Sequence, residues 1–299
     1  MKGLIMATLN TSMQGKICLV TGATSGIGKA TALSLAQMGA TVVMVGRDRA
    51  KGEAVLSEIK TKSGNEAVGL LLADLSSQAS IRQLVENFRQ QYTQLHVLIN
   101  NAGVAMLTRR ETVDGLEMTL AVDQLAPFLL TNLLLDVLKA SAPARIVNVS
   151  SAVHESASLD MDDLQSKKRY KFMSAYGQAK LALVMFTYEL ARRLQGTGVT
   201  ANCLHPGFVA TNFGQSGVGS AGRLVVKVIF SSLGISPEEG AKTSLYLATS
   251  PEVEGVTGKY FVKSIPKRSA AISYDESLQR QLWEESARLV KLAVLEEKV

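Results

Sequence analysis

The stretch Ile-Cys-Leu-Val-Thr-Gly-Ala-Thr-Ser-Gly-Ile-Gly, residues 17–28, decides the fold of this chain. Its first four residues are apolar, which predicts a buried strand at 17–20. Three glycines follow, and an amphipathic segment predicts a helix at about 27–38. Glycines at a strand–helix junction permit a tight turn and let N–H groups of the helix N-terminus approach a pyrophosphate. The stretch therefore predicts a dinucleotide-binding unit, with a purely structural turn as the alternative.

The alternation of short apolar runs and amphipathic segments continues to the end of the chain. Further strands are predicted at 41–45, 68–72, 97–100, 146–149, 199–204 and 258–261, and further helices at 49–62, 78–91, 122–139, 175–194 and 275–298. The strands are almost continuously apolar, so both of their faces must be covered. This pattern predicts an α/β fold, a single Rossmann-type, doubly wound parallel sheet with helices on both faces.

We find no linker that would divide the chain. We therefore expect an N-terminal tail at 1–14, a catalytic and cofactor-binding domain at 15–265, and a helical extension of the same domain at 266–299. Two segments, about 152–175 and 212–236, are predicted to be loops over the substrate site. The second contains a Gly/Ser-rich tract between a strand and a helix.

Composition narrows the classes of function. The 299 residues are 46% hydrophobic and 19% charged, as in a globular protein with a large core. The net charge is +6, but the basic residues are scattered, so we expect no nucleic-acid partner. Cys18, Cys203 and only three histidines show no metal-ligand spacing, so no metal site is expected. A cytoplasmic protein without a membrane anchor is expected, because the N-terminal apolar run is short.

The second strand ends in Gly46-Arg47-Asp48. A carboxylate in the place of Gly46 would accept the ribose hydroxyls of NAD and repel a 2′-phosphate. Arg47 is instead a planar donor suited to phosphate, and Lys51 lies one helical turn further on. These residues predict NADP(H) as the cofactor, although both could also be ordinary solvated charges.

Tyr176-Gly177-Gln178-Ala179-Lys180 has the spacing Y-x-x-x-K. Residues i and i+4 share one face of a helix, so the ammonium of Lys180 should lie near the phenol of Tyr176. A nearby ammonium and a positively charged nicotinamide favour the phenolate and lower its pKa toward neutrality. The spacing is common on helices and carries weight only together with the other motifs.

Together these motifs resemble the short-chain dehydrogenase/reductase family, and the chain is most similar to its retinol-dehydrogenase-like branch. The resemblance rests on G-x-x-x-G-x-G at 22–28, N-N-A-G at 100–103, Ser150-Ser151 after a strand, and Y-x-x-x-K, in the family's order. It covers residues 15–265 and implies a NADP-dependent oxidoreductase acting on an alcohol or carbonyl compound. Ser151 would hold the substrate oxygen, with Ser150 as the alternative.

The resemblance also implies a set of cofactor contacts: Gly22, Ser25, Gly26, Ile27, Gly28, Asp74, Leu75, Asn101, Ala102, Gly103, Tyr176, Lys180, Pro206, Gly207, Val209 and Thr211. Asp74 could instead be a helix cap. His205 is expected to be structural, and a contact of His154 with substrate is left open.

One position departs from the family. The family usually has an asparagine twenty residues after N-N-A-G, where it supports a water that links the lysine to solvent. This chain has Asp123, which keeps the size but loses the amide donor and can add a charge. The departure therefore affects the water link between the lysine and solvent, and Asp123 is a candidate catalytic residue.

Apolar segments are expected to wall the substrate pocket: residues 104–107, Phe172, Met173, Phe208 and Phe213. They favour a lipophilic ketone, aldehyde or secondary alcohol. Two other functions stay open, a cofactor-sensing protein with weak activity and a sugar-nucleotide epimerase or dehydratase. A homo-oligomer is also possible.

Overall fold

The computed structural model describes residues 12–207 and 235–292. These residues form one eight-stranded sheet in the order β3-β2-β1-β4-β5-β6-β7-β8. The strands are β1 Ile17–Thr21, β2 Thr41–Gly46, β3 Val68–Leu72, β4 Val97–Asn100, β5 Ala144–Val149, β6 Val199–His205, β7 Tyr260–Val262 and β8 Ile265–Lys267. All neighbours pair in parallel except β8, which is antiparallel to β7. The predicted doubly wound sheet is confirmed, and the strand order reverses between β1 and β4, where such folds bind ligands.

Helices cover both faces of the sheet. They are α1 Gly26–Gln37, α2 Arg49–Ser63, α3 Gln78–Gln91, α4 Met118–Leu120, α5 Ala126–Leu133, α6 Leu135–Ala140, α7 Phe172–Arg193, α8 Pro237–Thr249 and α9 Glu276–Leu289. The side chains of β1 alternate between two cores, as strand geometry requires. Leu19 packs in the core under α3, α5, α7 and α9, while Cys18 and Val20 pack in the core under α1, α2 and α8.

The helix predicted at 122–139 is interrupted. It begins at Met118, passes through a π-helical turn at Ala121–Leu125, and breaks again at Leu134 between α5 and α6. Pro127 explains the wide turn, because a residue without an N–H cannot bond the carbonyl four residues earlier, which belongs to Asp123. The π-turn thus places Asp123 where the regular helical ladder is broken.

The C-terminal helix α9 packs on α7 and α5. The ring of Trp283 lies 4.9 Å from that of Phe128 and 5.7 Å from that of Phe186, and the guanidinium of Arg193 lies 4.3 Å from the Trp283 ring. Neither α8 nor the short edge strand β8 was predicted from the sequence. The helix predicted at 275–298 ends earlier, at Leu289, with Val290 as its C-cap, and residues 293–299 lie outside the described part of the chain.

Candidate active site

The glycine turn after β1 lies at the carboxyl edge of the sheet, and its three glycines occupy positions that do not accommodate a side chain. Gly22 and Gly26 have φ values of +66° and +53°, in the left-handed region that favours glycine. A Cβ on Gly28 would lie 2.4 Å from the carbonyl oxygen of Gly22. Ser25 and Ile27 lie in the same turn, and the first turn of α1 has no acidic residue. The turn therefore depends on its glycines, and no carboxylate competes with an anion for the N–H groups at the N-terminus of α1.

Residues that follow β4 form hydrogen bonds with the start of the glycine turn. The Asn101 side chain donates to the carbonyl oxygen of Thr21 at 2.8 Å. The Thr21 hydroxyl in turn accepts the N–H groups of Asn101 and Ala102, at 2.9 and 3.1 Å. A Cβ on Gly22 would lie 2.9 Å from the Cα of Ala102. The structure thus brings N-N-A-G and the glycine turn into contact, through a threonine that the sequence analysis did not single out.

The tip of β2 is equally close to the glycine turn. A Cβ on Gly46 would lie 2.4 Å from Cγ2 of Thr24. Arg47 and Lys51 are exposed, and within the described ranges neither side chain has an ion pair or hydrogen bond. Asp48 caps α2 by accepting the N–H of Lys51 at 3.0 Å. Both predicted cationic groups are therefore available to a ligand at this tip.

Asp74 and Leu75 follow β3, next to β2. The N–H of Ala73 donates to the carbonyl oxygen of Gly46 at 2.9 Å, which fixes the spacing between the two strand ends. One oxygen of Asp74 accepts both the N–H and the hydroxyl of Ser76, at 3.0 and 2.7 Å. Asp74 thus stabilises the turn that precedes α3 through these hydrogen bonds. It directly follows Ala73, whose N–H bonds the end of β2.

Tyr176, Lys180 and Ser151 converge at the ends of β5 and α7. Lys180 Nζ lies 5.7 Å from the centre of the Tyr176 ring and donates to the carbonyl oxygen of Val149 at 3.1 Å. The Ser151 hydroxyl forms a hydrogen bond with Tyr176 that lowers the pKa of the phenol. Ser150 instead donates to the backbone carbonyl of Lys180 at 3.0 Å, and so holds α7 against β5. Of the two serines, Ser151 lies beside the phenol.

The pKa of Tyr176 lies above its ordinary value in this structure. Burial is the largest cause, and the Asp123 carboxylate adds to it, while the Lys180 ammonium and Ser151 act in the opposite direction. The sequence predicted the effect of the ammonium correctly in sign. It did not predict the larger opposing cost of desolvating the phenolate of Tyr176, which is only 8% exposed.

Asp123 and Lys180 form a buried ion pair. Lys180 Nζ lies 3.1 Å from Asp123 Oδ2, and the two side chains are 4% and 0% exposed. Asp123 Oδ1 accepts the N–H of Val104 at 2.7 Å. A Cβ on Gly103 would lie 3.3 Å from both Nζ and Oδ2, so glycine leaves the space that the pair fills.

Burial alone would lower the pKa of Lys180, but the charges of Asp123 and Tyr176 outweigh it and raise that pKa. The pKa of Asp123 is raised by burial, against the attraction of the ammonium. The aspartate therefore contacts the lysine directly, and the contact keeps the ammonium protonated.

The segment after β6 ends the described part of the site. Gly207 has φ +95°, and a Cβ there would lie 2.7 Å from Cδ1 of Ile235. His205 Nδ1 accepts the N–H of Gly207 at 3.1 Å and so supports the turn that contains Pro206. The other residues predicted here, Phe208, Val209, Thr211 and Phe213, lie outside the described residues, with most of the predicted loop at 212–236.

His154 is not placed in the site. It is fully buried, its Nδ1 lies 2.7 Å from the carbonyl oxygen of Ser151, and its Nε2 accepts the N–H of Ala270 at 3.4 Å. Its ring nitrogens thus contact the backbone of Ser151 and of Ala270, and His154 has a structural role next to Ser151.

Gln178 was not singled out from the sequence, because it resembles any polar helix residue inside Y-x-x-x-K. Its Oε1 accepts the N–H of Asp160 at 2.8 Å, and its Nε2 donates to the carbonyl oxygen of Leu164 at 3.0 Å. Gln178 therefore holds residues 160–164, within the predicted loop at about 152–175, against the helix that carries Tyr176 and Lys180. A buried side-chain network, Asn100 to Asn148 to Thr187, likewise ties β4, β5 and α7 together.

The fold and this set of residues define an oxidoreductase that uses a nicotinamide cofactor, and the chain belongs to the short-chain dehydrogenase/reductase family. The family model described as short chain dehydrogenase matches residues 16–218.

Among curated relatives, polyprenol dehydrogenase from Homo sapiens is 46% identical over 92% of this chain and 84% of its own length. Retinol dehydrogenase 13 from Homo sapiens is 46% identical over 94% and 86%. The chain is thus a retinol-dehydrogenase-like member of the family. A short chain dehydrogenase from Escherichia coli, solved in complex with NADPH, has a TM-score of 0.67 and 25% identity over 86% of this chain and 99% of that one.

The prediction of a cytoplasmic location is wrong. It is overturned by the relatives, which are named for retinol and polyprenol, alcohols with long apolar chains that partition into membranes. Between residues 12 and 207 and between 235 and 292, no helix has the length and apolar character needed to cross a bilayer.

Proposed function

We propose that this chain transfers a hydride between NADP(H) and a lipophilic alcohol or carbonyl compound, with Tyr176 as the general acid and base. The observation that carries the proposal is the convergence of Ser151, Tyr176 and Lys180 at the carboxyl edge of the sheet, with Asp123 behind the lysine. When bound, the nicotinamide supplies or accepts the hydride.

The side chains divide the remaining work. Ser151 orients the substrate oxygen toward the phenol. Tyr176 gives that oxygen a proton in the direction of reduction and removes the proton in the direction of oxidation, a contribution of about 10²–10⁴-fold. Lys180 stabilises the phenolate, and Asp123 and the Val149 carbonyl hold the ammonium in place. Asp123 is therefore a positioning residue in this proposal.

The residues fit the cofactor, because the cradle formed by the glycine turn has no acidic residue at the N-terminus of α1 that would repel a pyrophosphate. A side chain at Gly22 or Gly28 would collide with Ala102, Asn101 or the turn itself, and so would distort the cradle. The pyrophosphate would be held by the turn containing Ser25, Gly26 and Ile27, and the adenine by Asp74 and Leu75. The nicotinamide half would lie along Asn101, Ala102 and Gly103, with Pro206, Gly207, Val209 and Thr211 at its end.

The choice of NADP(H) over NAD(H) rests on the tip of β2. Two exposed cations, Arg47 and Lys51, lie there, and a guanidinium binds phosphate through parallel charge-assisted hydrogen bonds. The Escherichia coli structure in complex with NADPH supports the same choice.

The proposal of a lipophilic substrate rests on two observations. Large apolar side chains stand exposed next to the site, with Leu107 at 47% and Met173 at 55%. The relatives' names add that related enzymes act on isoprenoid alcohols. The matching substrate for this chain is a long-chain alcohol or the corresponding aldehyde.

A steady-state assay tests the function. With NADPH and straight-chain aldehydes of increasing length, kcat/KM should rise by roughly fourfold per buried methylene, about 0.8 kcal/mol, until the pocket is filled. NADH should be the poorer cofactor. Tight NADPH binding without oxidation by any carbonyl compound would contradict the proposal and leave a cofactor-sensing protein.

A further inference from the structure

A basic run borders the candidate active site. Residues 167–171 read Lys-Lys-Arg-Tyr-Lys, and all four cationic side chains are exposed. None of the four has an ion-pair partner in the described part of the chain. The neighbouring Asp163 accepts the backbone N–H groups of Lys167 and Lys168, at 2.7 and 2.9 Å, and Glu111 pairs with Arg109. The run therefore keeps most of its positive charge.

Exposed apolar side chains lie beside this run. The hydroxyl of Tyr170 donates to the carbonyl oxygen of Met106 at 2.6 Å, which joins the run to the segment that carries Leu107. Met173 lies two residues after the run and three residues before Tyr176 on α7, so Met173 and Tyr176 share one face of the helix. Leu107 and Met173, about half exposed, thus lie next to the basic run, and Met173 also shares a helix face with Tyr176.

We propose that this rim, residues 167–173 together with Leu107, docks on the surface of an anionic lipid bilayer. Unpaired cations attract anionic headgroups, and adjacent apolar side chains gain by entering the boundary between headgroups and acyl chains. A small soluble anion would satisfy the cations but leave Leu107 and Met173 in water, so the combination favours a bilayer. Docked in this way, the site opens toward the membrane, and a lipophilic substrate reaches Tyr176 without crossing water. That last step rests on the proposed function, whereas the docking itself does not.

A triple charge variant tests whether the cations of the rim account for the binding. Each Lys or Arg at an anionic surface strengthens binding by about fivefold, so Lys167→Gln, Lys168→Gln and Arg169→Gln together should weaken it by roughly 100-fold. The matched control is Lys139→Gln, Lys259→Gln and Lys267→Gln. These three lysines are also exposed, and they lie toward the amino ends of β5 and β7, at the opposite edge of the sheet. Both triples change the net charge equally.

The test is flotation of the purified chain with vesicles of phosphatidylcholine alone and of about three parts phosphatidylcholine to one part phosphatidylserine. The chain should float with the anionic vesicles and be released by high salt. The rim triple should lose this binding, and the control triple should keep it. Equal loss in both triples, wild-type binding by the rim triple, or no preference for anionic vesicles would overturn the proposal.

A second measurement separates docking from the proposed function. Without vesicles, the rim triple should reduce a short, water-soluble aldehyde at the wild-type rate. If vesicle binding behaves as expected while no variant reduces any carbonyl compound, the docking surface stands and the proposed function fails. If the rim triple floats normally but loses activity with a carboxylate-bearing substrate, the run binds a substrate anion and the docking proposal is overturned.

Discussion

Replacing Asp123 by asparagine removes the charge behind Lys180 without changing the shape of the side chain. At the observed 3.1 Å, and with an effective dielectric constant near 20, the attraction between the two charges is about 5 kcal/mol, opposed by several kcal/mol of desolvation per ion. Val104 and Lys180 contact different oxygens of Asp123, so an asparagine whose oxygen faces one of them turns its NH2 donor toward the other. The pKa of Lys180 should therefore fall.

The pKa of Tyr176 should fall as well, since the Asp123 carboxylate raises it and Lys180, while protonated, still lowers it. Alcohol oxidation requires the phenolate, so its pH–rate profile should move to lower pH, by up to about one unit. The measurement is kcat/KM for alcohol oxidation with NADP⁺ as a function of pH, with thermal unfolding as the control for the fold.

An unchanged profile, with a folded variant, would refute the coupling between Asp123 and the phenol. A shift to higher pH would refute the sign of the argument. Complete loss of activity would show that the carboxylate has a role that positioning of Lys180 does not explain.

Three further substitutions test other parts of the site. Arg47→Ala should weaken NADPH binding by about 10- to 100-fold and leave NADH binding nearly unchanged, as followed by fluorescence titration; equal weakening would mean that Arg47 does not bind the phosphate. Gly28→Ala should weaken both cofactors alike, because the new Cβ would lie 2.4 Å from the Gly22 carbonyl oxygen, and unaltered affinity would contradict the cradle. Ser151→Ala should lower kcat by about 10²-fold, and a larger loss in Ser150→Ala would show that the wrong serine was chosen.

The parts of the fold that could be predicted are those set by local sequence. The apolar run and glycines of 17–28 determine β1, the turn and α1, because their conformations depend on neighbouring residues. Short elements were missed for the opposite reason. The edge strand β8 has only three residues, and it pairs with β7 through a tight turn in which Lys263 and Ser264 both have positive φ.

The site was predictable as a set of motifs but not as a set of contacts. Asp123 and Lys180 are 57 positions apart in the chain, and only the π-turn before Pro127 and the packing of α7 bring them to 3.1 Å. The sequence indicated that the usual asparagine was missing, yet it could not distinguish a water-linked carboxylate from a direct ion pair. Gln178 could not be recognised, because its partners are backbone atoms of Asp160 and Leu164, which flank a short 3-10 turn far from Gln178 in the sequence.

The exchange of Tyr176 for phenylalanine tests the central claim most directly. Phenylalanine keeps the ring that α7 buries and removes only the hydroxyl, so the fold and the cradle should be unaffected. Single-turnover reduction of an aldehyde by saturating NADPH should slow by about 10²–10⁴-fold, while the Kd for NADPH stays near that of the wild type. A variant that binds NADPH normally and retains a third or more of the wild-type rate would remove Tyr176 from the mechanism.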